Sequence, residues 1–243
     1  MRRLTVLGSC GAWPEPGRAC AGYLLEYDGF RGLLDLGYAA LPRLLRYCPD
    51  GQVDAIFVTH CHPDHCVDVS GLARVRQDEV PDAPPIPLYA APGVVDVLQA
   101  IEPQPHPGEV FDVQELGPAE VGPFRMTAIR LPHGVPNLGV RLEAPDLVVA
   151  YTGDSGPSEN LSGLADGADL YIADATLQGV APQRRSRSVM TATEAAMSAA
   201  GAKRLLLTHF WPRSDRSAAA GEAAAVFDGE IITADEDLVI DLA

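Results

Sequence analysis

His60, His62, Asp64 and His65 fall within the six residues HCHPDH, just after the apolar run 53–58. Imidazole nitrogens and carboxylate oxygens together suit zinc and its first-row neighbours. The chain has six histidines, and this short segment uses three of them. Three more donor-type residues stand in equivalent places: His133 in LPHG, Asp154 in YTGDSG and His209 in LLLTHF each follow an apolar run. Four separate strands therefore end in a metal-type side chain. Strand ends on one edge of a packed sheet converge, which would gather all seven donors. Seven are too many for one tetrahedral zinc and suit two ions sharing a carboxylate. A closed structural zinc site favours cysteines, which this set lacks. His60 and His62 are two apart and point the same way in an extended segment. Asp64 and His65 follow Pro63, where the chain is expected to turn and aim them at a second ion. His106, in a Pro-rich stretch, reads as an ordinary surface residue.

The elements that must hold these side chains are legible in the alternation of apolar runs with Gly, Pro and Asp. Strands are expected at 4–7, 22–27, 30–34, 55–59, 86–90, 124–131, 138–142, 147–151, 170–173, 205–208, 230–233 and 238–240. Helices are expected at 41–47, 67–77, 93–101, 192–200 and 217–227. The fourth has the strongest start signal, because Thr191 and Glu194 form an S/T-x-x-E capping box. Strand groups with interspersed helices predict an α/β chain of two sheets packed together with helices outside. The Pro-rich stretches 81–87 and 103–107 read as surface loops, and nothing in them demands a boundary, so one domain over 1–243 is expected.

Composition narrows the possibilities. The chain has 243 residues, 47% of them apolar, which is enough for a sizeable core. Its net charge of −15 disfavours binding of long nucleic acid, which needs a basic surface. A local basic patch can still hold one small anionic group. No leader-like segment or membrane-spanning run is visible, so a cytoplasmic protein without membrane association is expected. Five cysteines without regular spacing give no disulfide framework; Cys61 and Cys66, beside the donors, are expected to be inert thiols. Trp13 and Pro14, in GAWPEPG, are expected in a loop beside the site mouth. No G-x-S-x-G or G-x-x-x-x-G-K occurs, so serine-hydrolase and P-loop readings have no support.

The pattern H-x-H-x-D-H with a later His, a later Asp and a final His resembles the metallo-β-lactamase superfamily. The likeness runs from GSCGAWPEP through LLDLG, THCHPDH, LPHG, YTGDSG and IADAT to LLLTHF. It is most similar to the branch holding RNase Z-type nucleases and small phosphodiesterases. The resemblance implies a four-layer αββα sandwich of two mixed sheets. It implies that His60, His62 and His133 hold one metal, that Asp64, His65 and His209 hold the other, and that Asp154 bridges them. Two zinc ions are expected, with manganese or iron as alternatives. Asp35, in LLDLG, matches a position that supports the metal-binding loop by hydrogen bonding. Asp154 stands where zinc β-lactamases commonly place a Cys, which argues against antibiotic hydrolysis.

Two dications about 3.5–4 Å apart can hold a bridging water and lower its pKa toward neutrality, giving a hydroxide nucleophile. Asp64 is the candidate catalytic carboxylate, accepting a hydrogen bond from that nucleophile. Arg184, Arg185 and Arg187, in the densest basic stretch of an acidic chain, are the candidate phosphate contacts. RNase Z enzymes usually carry a proton-donating His where this chain has Val189, often a Glu where it has Asp174, and a basic tRNA-clamping insertion that is not visible here. These departures disfavour tRNA 3′ processing. The expected function is hydrolysis of a small or cyclic phosphodiester, with a small anionic substrate and a homodimer as partners. A lactonase- or thioesterase-type hydrolase, or a metal-binding member with little turnover, is the alternative.

Overall fold

The computed structural model describes residues 1–181 and 187–242. In chain order the elements are β1 (Arg2–Gly8), β2 (Gly22–Tyr27), β3 (Phe30–Leu36), α1 (Leu41–Tyr47), β4 (Ala55–Val58), α2 (Pro63–Glu79), β5 (Ile86–Ala90), α3 (Val94–Ile101), α4 (Pro107–Val110) and β6 (Phe111–Glu115). There follow β7 (Ala119–Val121), β8 (Phe124–Leu131), β9 (Asn137–Ala144), β10 (Leu147–Tyr151), α5 (Asn160–Ala165), β11 (Leu170–Asp174), α6 (Ala192–Ser198), β12 (Arg204–Thr208), α7 (Arg216–Ala224), β13 (Glu230–Thr233) and β14 (Val239–Asp241). They form two compact units: Met1–Leu116 with Asp235–Asp241, and Gly117–Ala234. Each unit contains one seven-stranded mixed sheet with helices, as the fold class predicted.

The first sheet has the order β14-β1-β2-β3-β4-β5-β6. From β14 to β3 its neighbours are antiparallel, and from β3 to β6 they are parallel. Parallel neighbours need crossovers, and the helices between β3 and β6 supply them. The second sheet, in the order β13-β12-β11-β10-β9-β8-β7, is parallel from β13 to β10 and antiparallel from β10 to β7. In sheets of this kind, function gathers at the carboxyl ends of parallel strands, because each strand there hands the chain to a loop.

Packing follows the two periodicities. In the first unit, α2 buries Cys66, Val69, Leu72, Ala73 and Arg76, a helical stripe. In the second, Tyr171 and Ala173 of β11 join Leu205 and Leu207 of β12 on one sheet face, under Ala192, Ala195, Ala196 and Ala199 in and just beyond α6. The small alanines let the helix approach closely. Each buried leucine there contributes roughly 1.5–3 kcal/mol. Among the described residues no helix is long and apolar enough to cross a membrane.

Several expected boundaries shift. The helix expected at 67–77 begins four residues earlier, at Pro63, so Asp64 and His65 lie on a helical turn and not in a loop. Proline reads as a breaker, but at the first position of a helix its fixed φ and missing N–H cost nothing. Strand β6 and the short β7 were not anticipated. In β6 only Phe111 is buried, so no apolar alternation marks this edge strand. The stretch read as a loop at 103–107 leads into α4, capped by His106, whose Nδ1 accepts the Gly108 N–H at 3.1 Å.

Candidate metal centre

In the first unit, β4 delivers the chain to Thr59, His60 and His62, and α2 presents Asp64 and His65 on its first turn. His62 is the extended N-cap, Pro63 begins the helix, and the Asp64 carboxylate sits at the positive end of the helix dipole. His60 and His65 are fully buried, and Asp64 is 6% exposed. The His60 ring lies 4.9 Å from the His62 ring and 4.1 Å from that of His65. Such crowding of imidazoles would be unfavourable if they were charged, and it suits neutral ligands. Gly37 permits the approach: a Cβ there would stand 1.8 Å from the Asp64 carbonyl oxygen.

Asp35, wholly buried and at φ +53°, organises this half. Its Oδ1 accepts the Thr59 N–H at 2.8 Å, and its Oδ2 accepts the Thr59 hydroxyl at 2.9 Å and faces His65 Nδ1 at 2.7 Å. A carboxylate only accepts, so the His65 proton sits on Nδ1 and its lone pair on Nε2. That Nε2 is 3.6 Å from Asp64 Oδ2. Thr59 Oγ1, having given its proton to Asp35, accepts from His60 Nδ1 at 3.1 Å, which puts the His60 lone pair on Nε2 as well. Asp64 Oδ2 takes the Ala12 N–H at 2.7 Å.

The second unit repeats the scheme. His133 follows β8, Asp154 follows β10 and His209 follows β12, each just past its strand. His133 Nδ1 donates to the Ser188 carbonyl at 2.8 Å, and its Nε2 is 3.8 Å from Asp154 Oδ2. His209 Nδ1 lies 2.7 Å from Thr176 Oγ1, and its Nε2 is 3.1 Å from Asp154 Oδ1. The Thr176 hydroxyl donates to Asp174 Oδ1, so its oxygen accepts from His209. Asp174 is completely buried, which pushes its carboxyl well above the ordinary range; it also accepts the N–H groups of Thr176, Ser155 and Met190. Asp174 and Thr176 thus play for His209 the part that Asp35 and Thr59 play in the first unit. Sequence reasoning noted Asp174 only as a departure from glutamate and missed Thr176. The signal was the polar D-A-T closing an otherwise apolar strand.

Of the remaining expected residues, Arg184 and Arg185 lie outside the described residues. Arg187 pairs with Glu194 of the α6 capping box, its Nη1 donating to Oε2 at 2.7 Å. Cys66 is buried and Cys61 partly so, and burial pushes the Cys66 thiol up, away from the reactive thiolate. Trp13 is 54% exposed, one residue beyond Ala12.

Residues 32–210 match the model of a β-lactamase superfamily domain. The chain is 29% identical over 234 residues to a protein of Bacillus subtilis named "Probable metallo-hydrolase YhfI", covering 94% of this chain and 95% of that one. It superposes on the crystal structure of YhfI with a TM-score of 0.88, over 99% of each chain at 27% identity. It is 30% identical over 303 residues to a Ribonuclease Z of Thermobifida fusca, covering 97% and 93% of the two chains. A diphosphatase of the PhnP family, at 19% identity and a TM-score of 0.77, shares the fold. With its mixed sheets, its donors at strand ends and these relatives, the chain belongs to the metallo-β-lactamase superfamily of metallo-hydrolases.

Proposed function

We propose that this protein hydrolyses a small phosphodiester, cyclic ones included, with a pair of divalent metal ions held by His60, His62, Asp64, His65, His133, Asp154 and His209. The observation that carries this reading is the repeated polarity of the imidazoles. Four rings bind protein through Nδ1 and keep the lone pair on Nε2, which leaves that nitrogen available to ligate a metal ion. Supporting it, within the first unit His65 Nε2 lies 3.6 Å from Asp64 Oδ2, and within the second His133 Nε2 and His209 Nε2 lie 3.8 and 3.1 Å from the two Asp154 carboxylate oxygens. Histidine and carboxylate donors without thiolate suit zinc, manganese or ferrous iron, and zinc is the reading we adopt. Such a pair, when bound, supplies Lewis acidity and activates a water.

The chain's own groups do the rest. Asp64, fixed through Oδ2 by the Ala12 N–H, accepts the proton of the attacking water. A new P–O bond forms from that water while the ester P–O bond breaks, and the proton taken up by Asp64 passes to the leaving alkoxide, giving a phosphomonoester and an alcohol. Phosphorus is favoured over a carbonyl substrate because one relative is named a ribonuclease, which cleaves phosphodiesters. A small substrate is favoured by the net charge of −15, which repels a long polyanion. Arg184 and Arg185 remain the proposed phosphate contacts, since Arg187 is engaged by Glu194.

The test is hydrolysis of bis-p-nitrophenyl phosphate, a panel of lactones and a panel of thioesters by zinc- and manganese-loaded protein, with His62→Ala protein as control. Nitrophenolate release well above the control is expected. Faster turnover of lactones or thioesters, or no rate above His62→Ala, sinks the phosphodiesterase reading.

A further inference from the structure

We infer that Glu236 is a positioning residue for Asp64, acting through the loop that joins β1 to β2; the inference rests on the metal-site reading above. Glu236 is 227 positions from Ser9 in the chain, yet its carboxylate, 6% exposed, grips both stems of that loop. Oε1 accepts the Ser9 N–H at 3.2 Å, the Ser9 hydroxyl at 2.9 Å and the Ala19 N–H at 3.3 Å. Oε2 takes Arg18 Nη1 at 2.6 Å. The stems are joined further by the Ser9 and Cys10 N–H groups on the Ala19 carbonyl.

The segment that carries Glu236 is itself fixed. The Asp237 N–H donates to the Val6 carbonyl and the Val6 N–H to the Leu238 carbonyl, both at 2.9 Å. Arg43 of α1 spans from the Asp237 carboxylate to the Gly17 carbonyl, on the far side of the loop. Glu236 therefore connects a strand-anchored segment to a loop containing Gly11 and Gly17, which has few elements of its own to order it.

What that order achieves is seen at Ala12. It sits at φ +63°, a conformation that alanine keeps only when its surroundings impose it. In that conformation its N–H points at Asp64 Oδ2, 2.7 Å away. This bond sets the rotation of the Asp64 carboxylate and so the direction of both its oxygens. A surface ion pair would not need a buried acceptor for three donors from opposite ends of a loop. Glu236 acts on Asp64 only through the loop, by way of Ser9, Arg18, Ala19 and Ala12, and is not itself one of the candidate metal ligands.

Glu236→Ala and Glu236→Gln are compared with the parent chain in two measurements. The first is amide hydrogen exchange at Ala12 in metal-free protein. The second is zinc titration against a chromophoric chelator. In Glu236→Ala the Ala12 amide should exchange at least about tenfold faster, and one of two zinc equivalents should bind about tenfold more weakly with the other unchanged. Glu236→Gln retains an Oε1 acceptor and should recover most of both. Should Glu236→Ala fail to fold, Glu236→Asp, which withdraws the carboxylate by one methylene, carries the same expectation. Unchanged Ala12 protection in a folded variant, or two zinc affinities equal to those of the parent, overturns the inference. A parent chain that binds fewer than two zinc ions overturns the dinuclear reading instead, and Ala12 exchange then still decides whether Glu236 orders the loop.

Discussion

Thr59 has one hydroxyl proton and gives it to Asp35, so towards His60 its oxygen can only accept. Thr176 stands in the same relation to Asp174 and His209. In each case a buried carboxylate, through one hydroxyl, decides which imidazole nitrogen carries the proton. Replacing Asp35 by Asn exchanges an acceptor for a group that also presents N–H, and the His65 Nδ1–H then meets a poorer partner. Replacing Thr176 by Val keeps the shape and deletes the relay to His209. Each change is expected to weaken metal binding by about 10–100-fold, as loss of an outer-shell partner does. Chelator competition on the folded variants measures this, and affinities within twofold of the parent would refute the relay argument.

The first turn of α2 and the loop before α6 show what whole elements contribute. Proline at its first position lets α2 begin directly behind His62, and so one short segment supplies donors from a loop and from a helix. Before α6, Gly156 lies against the chain that holds His133: a Cβ at 156 would stand 1.8 Å from the Arg187 carbonyl oxygen. Gly156→Ala is expected to push residues 187–188 away, loosen the Ser188 carbonyl from His133 and destabilise the fold by about 1–3 kcal/mol, an overpacking cost read by urea denaturation. An unchanged midpoint would show that this loop yields freely.

At the start of α6 the Thr191–Glu194 capping box is formed as the sequence predicts. Burial pushes the Glu194 carboxyl up, but hydrogen bonds from Arg187 and the Thr191 N–H outweigh it and hold the group below the usual carboxylate range. A lowered folded-state value means stability that is complete above the unfolded value, about pH 4.3, and is lost as the pH falls through the folded one. Glu194→Ala should therefore cost about 1 kcal/mol at pH 7. The difference from the parent should shrink below about pH 4 in denaturation series, and a pH-independent difference would exclude the ionised cap.

At the scale of the molecule, an acidic chain with charge −15 buries Asp35, Asp64, Asp154 and Asp174. Buried carboxylates in such a chain are costly unless cations or donors meet them. Metal binding is therefore expected to stabilise the fold strongly. At a free metal concentration of about 1,000 times Kd the gain is about 4 kcal/mol, or roughly 10 °C in Tm for a chain of this size. Scanning calorimetry before and after chelation, with zinc added back, measures it. Identical transitions in all three states would remove the metal from the account of stability.

The sequence by itself determined the strands other than β6 and β7, the helix cap at Thr191 and the placement of seven donor-type side chains at or just beyond strand ends. Each of these is a local signal: an apolar run, a capping pair, or a ligand-type side chain placed just past a strand. It missed β6 and β7, because edge strands are held by backbone pairing that leaves no apolar period to read. It also placed Asp64 and His65 in a turn, because proline has two opposite meanings that only the neighbouring helix separates. Asp35 could be placed behind the metal-binding loop from the resemblance, but only the tertiary structure decided which other groups support the donors. Thr176 and Asp174 meet His209 from a different strand end, and Glu236 reaches Ser9 across 227 positions. A hydrogen bond between residues far apart in the chain has no local pattern, because the sheet register sets the distance between them.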